Sequence, residues 1–172
     1  PTSGSGKTTV SRGLMALLTQ KGLAVQPFKC GPDYIDTKYH TAVCGRASIN
    51  LDTFMASGEH VCELYARHAV SADVCIVEGM MGMFDGYDRS KGSSAEIAKV
   101  LRLPVVLVVD AKAMGESAAA LALAGVVDQE FGHLAEGPAL LAVIDHQAHA
   151  ALLGHLDAHL DAMGQVGPAG AD

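Results

Sequence analysis

The chain opens with Ser3-Gly4-Ser5-Gly6-Lys7-Thr8-Thr9 and passes at once into a helical pattern, and no other stretch narrows the admissible folds so sharply. Small side chains let backbone N–H groups close around a phosphate at the positive end of a helix dipole. In such a loop the lysine reaches the outer phosphates and the hydroxyl after it ligates Mg²⁺, which assigns those parts to Lys7 and Thr8. Pro1 stands where the strict G-x-x-x-x-G-K-[ST] pattern has its first glycine, so the assignment leans on the helix and acidic groups that follow. Residues Ser3 to Thr9 are thus read as an ATP or GTP site. A phosphate loop normally follows a buried strand. The chain begins inside the loop and ends in QVGPAGAD, and we expect a fragment whose N-terminal strand is missing.

Segments rich in Val, Ile and Leu alternate with Ala/Leu-rich helical patterns, the mark of repeated βα units around a mainly parallel sheet. The spacing predicts a helix from Thr8 to Lys21 with Val10, Leu14, Leu17 and Leu18 inward. It predicts strands at Leu23–Phe28, Asp73–Val77, Leu103–Asp110 and Ala139–Ile144. Further helices are expected at Leu51–Ala69, from Ser93 through a Ser93/Glu96 capping box, at Ser117–Val126 and at Gln147–Met163. The fold class is therefore α/β, a three-layer P-loop NTPase-like domain over residues 1–172.

Its 172 residues, 49% of them hydrophobic, suffice for one domain with a substantial core. Apolar runs such as Leu103–Val109 fall short of the roughly 20 residues that cross a bilayer. A net charge of −7 argues against a broad grip on nucleic acid. Cys30, Cys44, Cys62 and Cys75 form no C-x-x-C pair and read as reduced packing thiols in a cytoplasmic protein. Phosphoryl transfer needs metal ligands and oriented carboxylates, which open α/β sheets gather at the carboxyl ends of their strands. Asp33 and Asp36 in a Gly-Pro loop beside Lys29, Glu78 after the strand ending at Val77, and Asp110 all qualify.

The strings GPDYIDT (31–37), NLDTFM (50–55) and EGMMGMFDG (78–86), together with the phosphate loop, closely resemble the amidoligase domain of cobyrinic acid a,c-diamide synthases, from Thr2 to about Asp128. The resemblance implies ATP- and Mg²⁺-dependent amidation of two acetate groups of a corrin precursor through acyl phosphates. Ammonia would come from glutamine, released by a C-terminal amidotransferase domain; none is read in this sequence, which fits a cropped chain, a separate subunit or the use of free ammonia. Carried onto this sequence, it makes Ser3 to Thr9 the nucleotide loop, Thr8, Asp36 and Glu78 the metal site, and Lys7, Asp33, Asp36, Glu78 and Asp85 the catalytic set. Tyr34, His40 and Arg46 become substrate contacts, with Lys38, Arg89 and Lys91 as further anchors for corrin carboxylates. Expected partners are a corrinoid and an ammonia source, with neither nucleic acid nor membrane, and there is room for a homodimer. Where the family has an Asn-Arg-Val-like stretch that seats the base, this chain reads Asp145-His146-Gln147.

Rival readings are a sister amidase acting on another tetrapyrrole, a dethiobiotin synthetase-like ligase, and a nucleotide-switched partition or regulatory ATPase. The last would want a lysine where this chain has Thr2, and a basic surface. His155 and His159 share a helical i, i+4 spacing, but the inward leucines beside them make a solvated face the simpler account. Met80, Met81 and Met83 suit either core or substrate packing.

Overall fold

A computed structural model describes residues 3–112, 114–120 and, as a strand, 140–144. The order is α1 (Lys7–Gln20), β1 (Val25–Cys30), α2 (Asp36–Cys44), β2 (Ile49–Leu51), α3 (Gly58–Ala69), β3 (Val74–Glu78), α4 (Ser94–Leu101), β4 (Val106–Asp110) and β5 (Leu140–Ile144). All pairings between these strands are parallel. One sheet runs β2-β1-β3 and a second pairs β4 with β5. In β1–β3, Val25 lies opposite Val74 and Lys29 opposite Glu78, so the carboxyl ends of both strands finish at one level.

Alternation along the strands sends side chains to two cores. On one face, Val25, Val74 and Ile76 meet Met15, Ala16 and Leu18 of α1 and Val43 and Cys44 of α2. On the other, Phe28, Cys30, Cys75 and Val77 meet Val61 of α3 and Ile97 of α4. Helices thus cover both faces of the β2-β1-β3 sheet, which is the expected α/β layering and explains why β1 is buried along its whole length. A cavity of about 340 Å³ lies between β3 and β4, walled by Val10, Leu14, Ile76, Ile97 and Leu107 among others.

Several expectations need correction. Leu14 and Leu17 are 40% and 49% exposed, and Met15 and Ala16 face the core in their place. Leu14 lines the cavity beside β3. The helix expected over Leu51–Ala69 divides: β2 ends at Leu51, and the Asp52 carboxylate accepts the Phe54 N–H in a local turn that competes with helix. Helix α3 then starts where the Ser57 hydroxyl accepts the His60 N–H. Ser93 caps α4 by accepting from the Glu96 N–H, but the Glu96 carboxylate turns to the Gly92 N–H and the Thr53 hydroxyl, so the box is not reciprocal. The strand after α4 starts late, at Val106, because the helix closes with Arg102 in the left-handed region and Leu103 N–H on the Ala98 carbonyl. Ser117 to Ala120 are helical. The remainder of that helix, the expected helix over Gln147–Met163 with His155 and His159, and Asp145-His146-Gln147 lie outside the described residues.

Gly31 marks a close approach. It has φ +74°, and a Cβ there would stand 2.5 Å from the Met80 sulfur, beside the site described next. Gly31→Ala is expected to lower unfolding stability by about 1–3 kcal/mol, the cost of a left-handed non-glycine residue plus displacement of Met80. Equilibrium urea denaturation measures it. An unchanged midpoint would mean that the β1 exit is looser than its geometry.

Candidate functional site

The loop before α1 owes its shape to two left-handed glycines, Gly4 (φ 80°) and Gly6 (φ 88°), the second serving as the helix N-cap. No acidic residue occupies the first turn of α1, so nothing there opposes an anion at the helix start. Ser3, Gly4, Gly6, Lys7, Thr8 and Thr9 line an open cavity of about 390 Å³. Ser5 is buried beneath it. Opposite them stand Lys29 near the end of β1, Asp33 in the loop that follows, Asp36 at the start of α2 and Glu78 at the end of β3, with Gly79, Met80 and Met81 completing the wall.

At the base of this cavity the charges interlock. The Thr8 hydroxyl donates to Glu78 Oε1 at 2.6 Å and lies 3.4 Å from Asp36 Oδ2. Lys29 Nζ, only 3% of the residue being exposed, is 2.7 Å from Asp36 Oδ2, 3.0 Å from Glu78 Oε1 and 3.8 Å from Asp33 Oδ2. Behind Glu78, His40 Nε2 is 2.7 Å from Oε2. Burial pushes the Glu78 carboxyl toward neutrality, but the His40 hydrogen bond, the Lys29 charge and the Thr8 hydroxyl outweigh it and hold it below its ordinary value. Burial likewise works against the Lys29 ammonium, and Glu78 and Asp36 raise it in spite of that. Lys7 is shifted the other way, lowered by burial and by Lys29, with Glu78, Asp85 and Asp36 opposing.

The remaining expected residues fall into two groups. Asp33 lines the cavity, yet its Oδ1 is engaged locally, accepting the N–H groups of Ile35 and Asp36 at the entry to α2. Asp85 accepts the Gly82 N–H and acts on Lys7 through its charge. Tyr34 is 71% exposed on the loop before α2. His40 and Arg46 are not where a substrate contact requires. The His40 ring is fully buried and engaged at both nitrogens, by Glu78 and, at 3.2 Å, by the Ser48 hydroxyl. The Arg46 guanidinium binds the carbonyl and hydroxyl of Ser71, which precedes β3, at the sheet end away from the phosphate loop. Asp110 accepts the Lys112 N–H as a turn former and does not line the cavity. Lys38, Arg89 and Lys91 are exposed, Lys91 pairing with Asp88. Of the three methionines, Met80 packs on the core and also lines the cavity, whereas Met81 is 44% exposed.

Sequence reading left Lys29 as a neighbour of the acidic loop when it is the hub of the network. A lysine between Phe28 and Cys30 in a fully buried strand was the available signal, because a buried ammonium demands carboxylates around it. The donor set is hard oxygen: one hydroxyl and two carboxylates, with no cluster of three His, Cys, Asp or Glu side chains among the described residues suited to caging a metal. That composition fits Mg²⁺, which takes one or two carboxylates and fills its remaining positions with phosphate oxygens and water.

The network sets an acid limit on stability. Glu78 has a folded-state pKa below its ordinary 4.5, so its contribution is complete above that pH and is lost as the pH falls through the folded value. Lys29 is raised above 10.5, so its contribution is complete below that pH and is lost as the pH rises through the folded value. Urea midpoints are therefore expected to fall on the acid side below pH 4.5, and less steeply in Glu78→Gln. Parallel profiles for the two proteins would exclude Glu78 as a source of the acid loss.

Comparison with known proteins bears on the same site. A family profile described as "CobQ/CobB/MinD/ParA nucleotide binding domain" matches residues 1–159. A cobyrinate a,c-diamide synthase of Listeria innocua is 54% identical over 122 residues, covering 69% of this chain and 27% of that protein. A hydrogenobyrinate a,c-diamide synthase of Streptomyces coelicolor is 52% identical over 123 residues, 70% of this chain and 25% of that protein. The cobyrinate a,c-diamide synthase of Salmonella typhimurium is 43% identical over 167 residues, 90% of this chain and 36% of that protein. The chain thus spans about a quarter to a third of the length of these relatives. The profile covers the phosphate loop, β1 and β3 that form the cavity, and the chain belongs to the CobQ/CobB/MinD/ParA nucleotide binding domain family.

Proposed function

We propose that this chain is the ATP- and Mg²⁺-dependent amidoligase part of an enzyme that amidates the a and c acetate groups of a corrin, cobyrinic or hydrogenobyrinic acid. The observation that carries the reading is one cavity holding the phosphate loop, the carboxylates of Asp36 and Glu78, and a buried lysine. Relatives named for cobyrinate and for hydrogenobyrinate favour the corrin over other carboxylates and leave the cobalt open.

Each amidation has two steps. A substrate carboxylate oxygen attacks the γ-phosphorus of ATP, the bond to the β-phosphate oxygen breaks, and an acyl phosphate and ADP result. Ammonia then attacks the acyl carbon, phosphate leaves, and one proton is released as the amide forms. Such transfer depends on positioning and on charge stabilisation more than on covalent help from the protein. Lys7 and the backbone of Ser3 to Thr9 bind and orient the phosphates. Thr8, Asp36 and Glu78 would hold Mg²⁺, which would supply positive charge against that growing on the phosphate oxygens. Lys29, held between Asp36 and Glu78, helps to keep the Glu78 carboxylate ionised and adds positive charge beside the incoming substrate carboxylate. Asp33 lines the cavity, and with Tyr34 and Asp85 of the loops after β1 and β3 it is our choice for contacts to substrate and the γ-phosphate. Ammonia is supplied from glutamine by an amidotransferase domain or subunit.

The test uses the full-length protein with MgATP and cobyrinic acid, given ammonium or glutamine, with amides followed by mass spectrometry and ADP measured in parallel. Diamide formed with ammonium, in step with ADP, is the expected result. ADP without amide, or neither product, would overturn the corrin reading and favour a nucleotide-switched ATPase.

A further inference from the structure

We infer that His40 is a positioning residue that aims the Glu78 carboxylate at the metal position, an inference that rests on the site reading above. Glu78 is 2% exposed and divides its two oxygens between opposite sides. Oε1 faces the cavity, where Thr8 donates to it at 2.6 Å and Lys29 at 3.0 Å. Oε2 faces away and meets His40 Nε2 at 2.7 Å. An ionised carboxylate only accepts hydrogen bonds, so Nε2 carries the hydrogen in this contact. The ring is locked from behind, with Nδ1 3.2 Å from the Ser48 hydroxyl. Ser48 is in turn held by its N–H on the Thr41 hydroxyl, itself bonded to the Thr37 carbonyl within α2. A chain of hydrogen bonds therefore runs from α2 through His40 to Glu78 and on to Thr8.

This arrangement does something the Thr8 and Lys29 contacts cannot. Both of those engage Oε1, the oxygen a cation needs, and would let the carboxylate swing about its last torsion. The His40 bond to Oε2 fixes that torsion while leaving Oε1 aimed into the cavity. Carboxylate ligands held by an outer hydrogen bond typically lose about 10–100-fold in metal affinity when that bond is removed. His40 is fully buried and cannot touch substrate, so its effect reaches the reaction through Glu78 alone.

The test measures ADP binding to the full-length protein by calorimetry at a series of Mg²⁺ concentrations, and records melting temperature separately. His40→Leu is expected to raise the Mg²⁺ concentration for half-maximal ADP binding about 10-fold or more. His40→Gln, whose amide nitrogen can take the place of Nε2, is expected to stay within about threefold of the unaltered protein, a rescue that tracks the hydrogen bond. Unchanged Mg²⁺ dependence in His40→Leu, or equal loss in the Leu and Gln variants, would overturn the inference. Should His40→Leu fail to fold, His40→Asn, too short to reach Oε2, replaces it against His40→Gln, and equality of those two is again the contrary result. Glu78→Gln separates this failure from that of the site itself: if it leaves the Mg²⁺ dependence unaltered, the metal site is wrong, whatever His40 does.

Discussion

Replacing Lys7 by alanine in the full-length protein is expected to cut ATP-dependent amide formation by more than about 10³-fold, as loss of a preorganised cation at the transferred phosphate does elsewhere. The structure adds a contrast that a general loss of folding would not produce. Without nucleotide, Lys7 is disfavoured as a cation by its partial burial and by the nearby charge of Lys29. Lys7→Ala should therefore melt at the same temperature as the unaltered protein or slightly above it when no nucleotide is present. It should also lose most of the thermal shift that MgATP confers. Differential scanning calorimetry with and without MgATP reads both quantities. A variant that melts well below the parent in the absence of nucleotide would mean that the lysine serves the fold first and the phosphate second.

Glu78→Gln is the second large effect, and here activity and stability should fall together. Thr8, Lys29 and His40 all engage this carboxylate. Removing its charge leaves the buried Lys29 ammonium with Asp36 and the more distant Asp33. Loss of one partner from a buried ion pair costs about 3 kcal/mol. Amide formation should drop by about 10²–10³-fold, with part of the loss recovered at high Mg²⁺. Steady-state rates across a magnesium series, beside urea denaturation, separate the two components. Full activity at ordinary magnesium would remove Glu78 from the metal site.

Legibility of the site in the sequence followed how local each signal was. Gly4, Gly6, Lys7 and Thr8 are consecutive or nearly so, and small residues before a helix have few other arrangements, so their grouping was readable directly. Glu78 was legible through its position, since the end of a buried strand in a parallel sheet fixes where a side chain emerges. His40 and Arg46 were not. Both are polar residues in or just after α2, beside an acidic loop, and only the packing of that helix against β1 decides that His40 turns inward to Glu78. Arg46 lies past the helix end and reaches Ser71, at the end of the sheet away from the phosphate loop. Lys29 was seen and undervalued, because its partners come from 7 and 49 residues away and no local pattern announces them. In the fold, β2 was hidden in the same manner. Three residues carry too little periodicity to compete with the helical pattern downstream, and it is pairing with β1 that makes Ile49–Leu51 a strand.

The register of β1 against β3 sets an order of assembly. Pairing Lys29 with Glu78 closes a separation of 49 residues, and the contact of Thr8 with Glu78 spans 70. Closing long loops costs entropy before any contact repays it, so these pairings are expected to form after the nearer β1–β2 ladder. The site is then completed late in folding. Helix α1 packs on Val74 and Ile76 of β3, and Thr8 is bonded to Glu78 of that same strand, so the phosphate loop and the carboxylate facing it are completed together. A chain whose third strand has not docked would lack both halves of the proposed phosphoryl-transfer site.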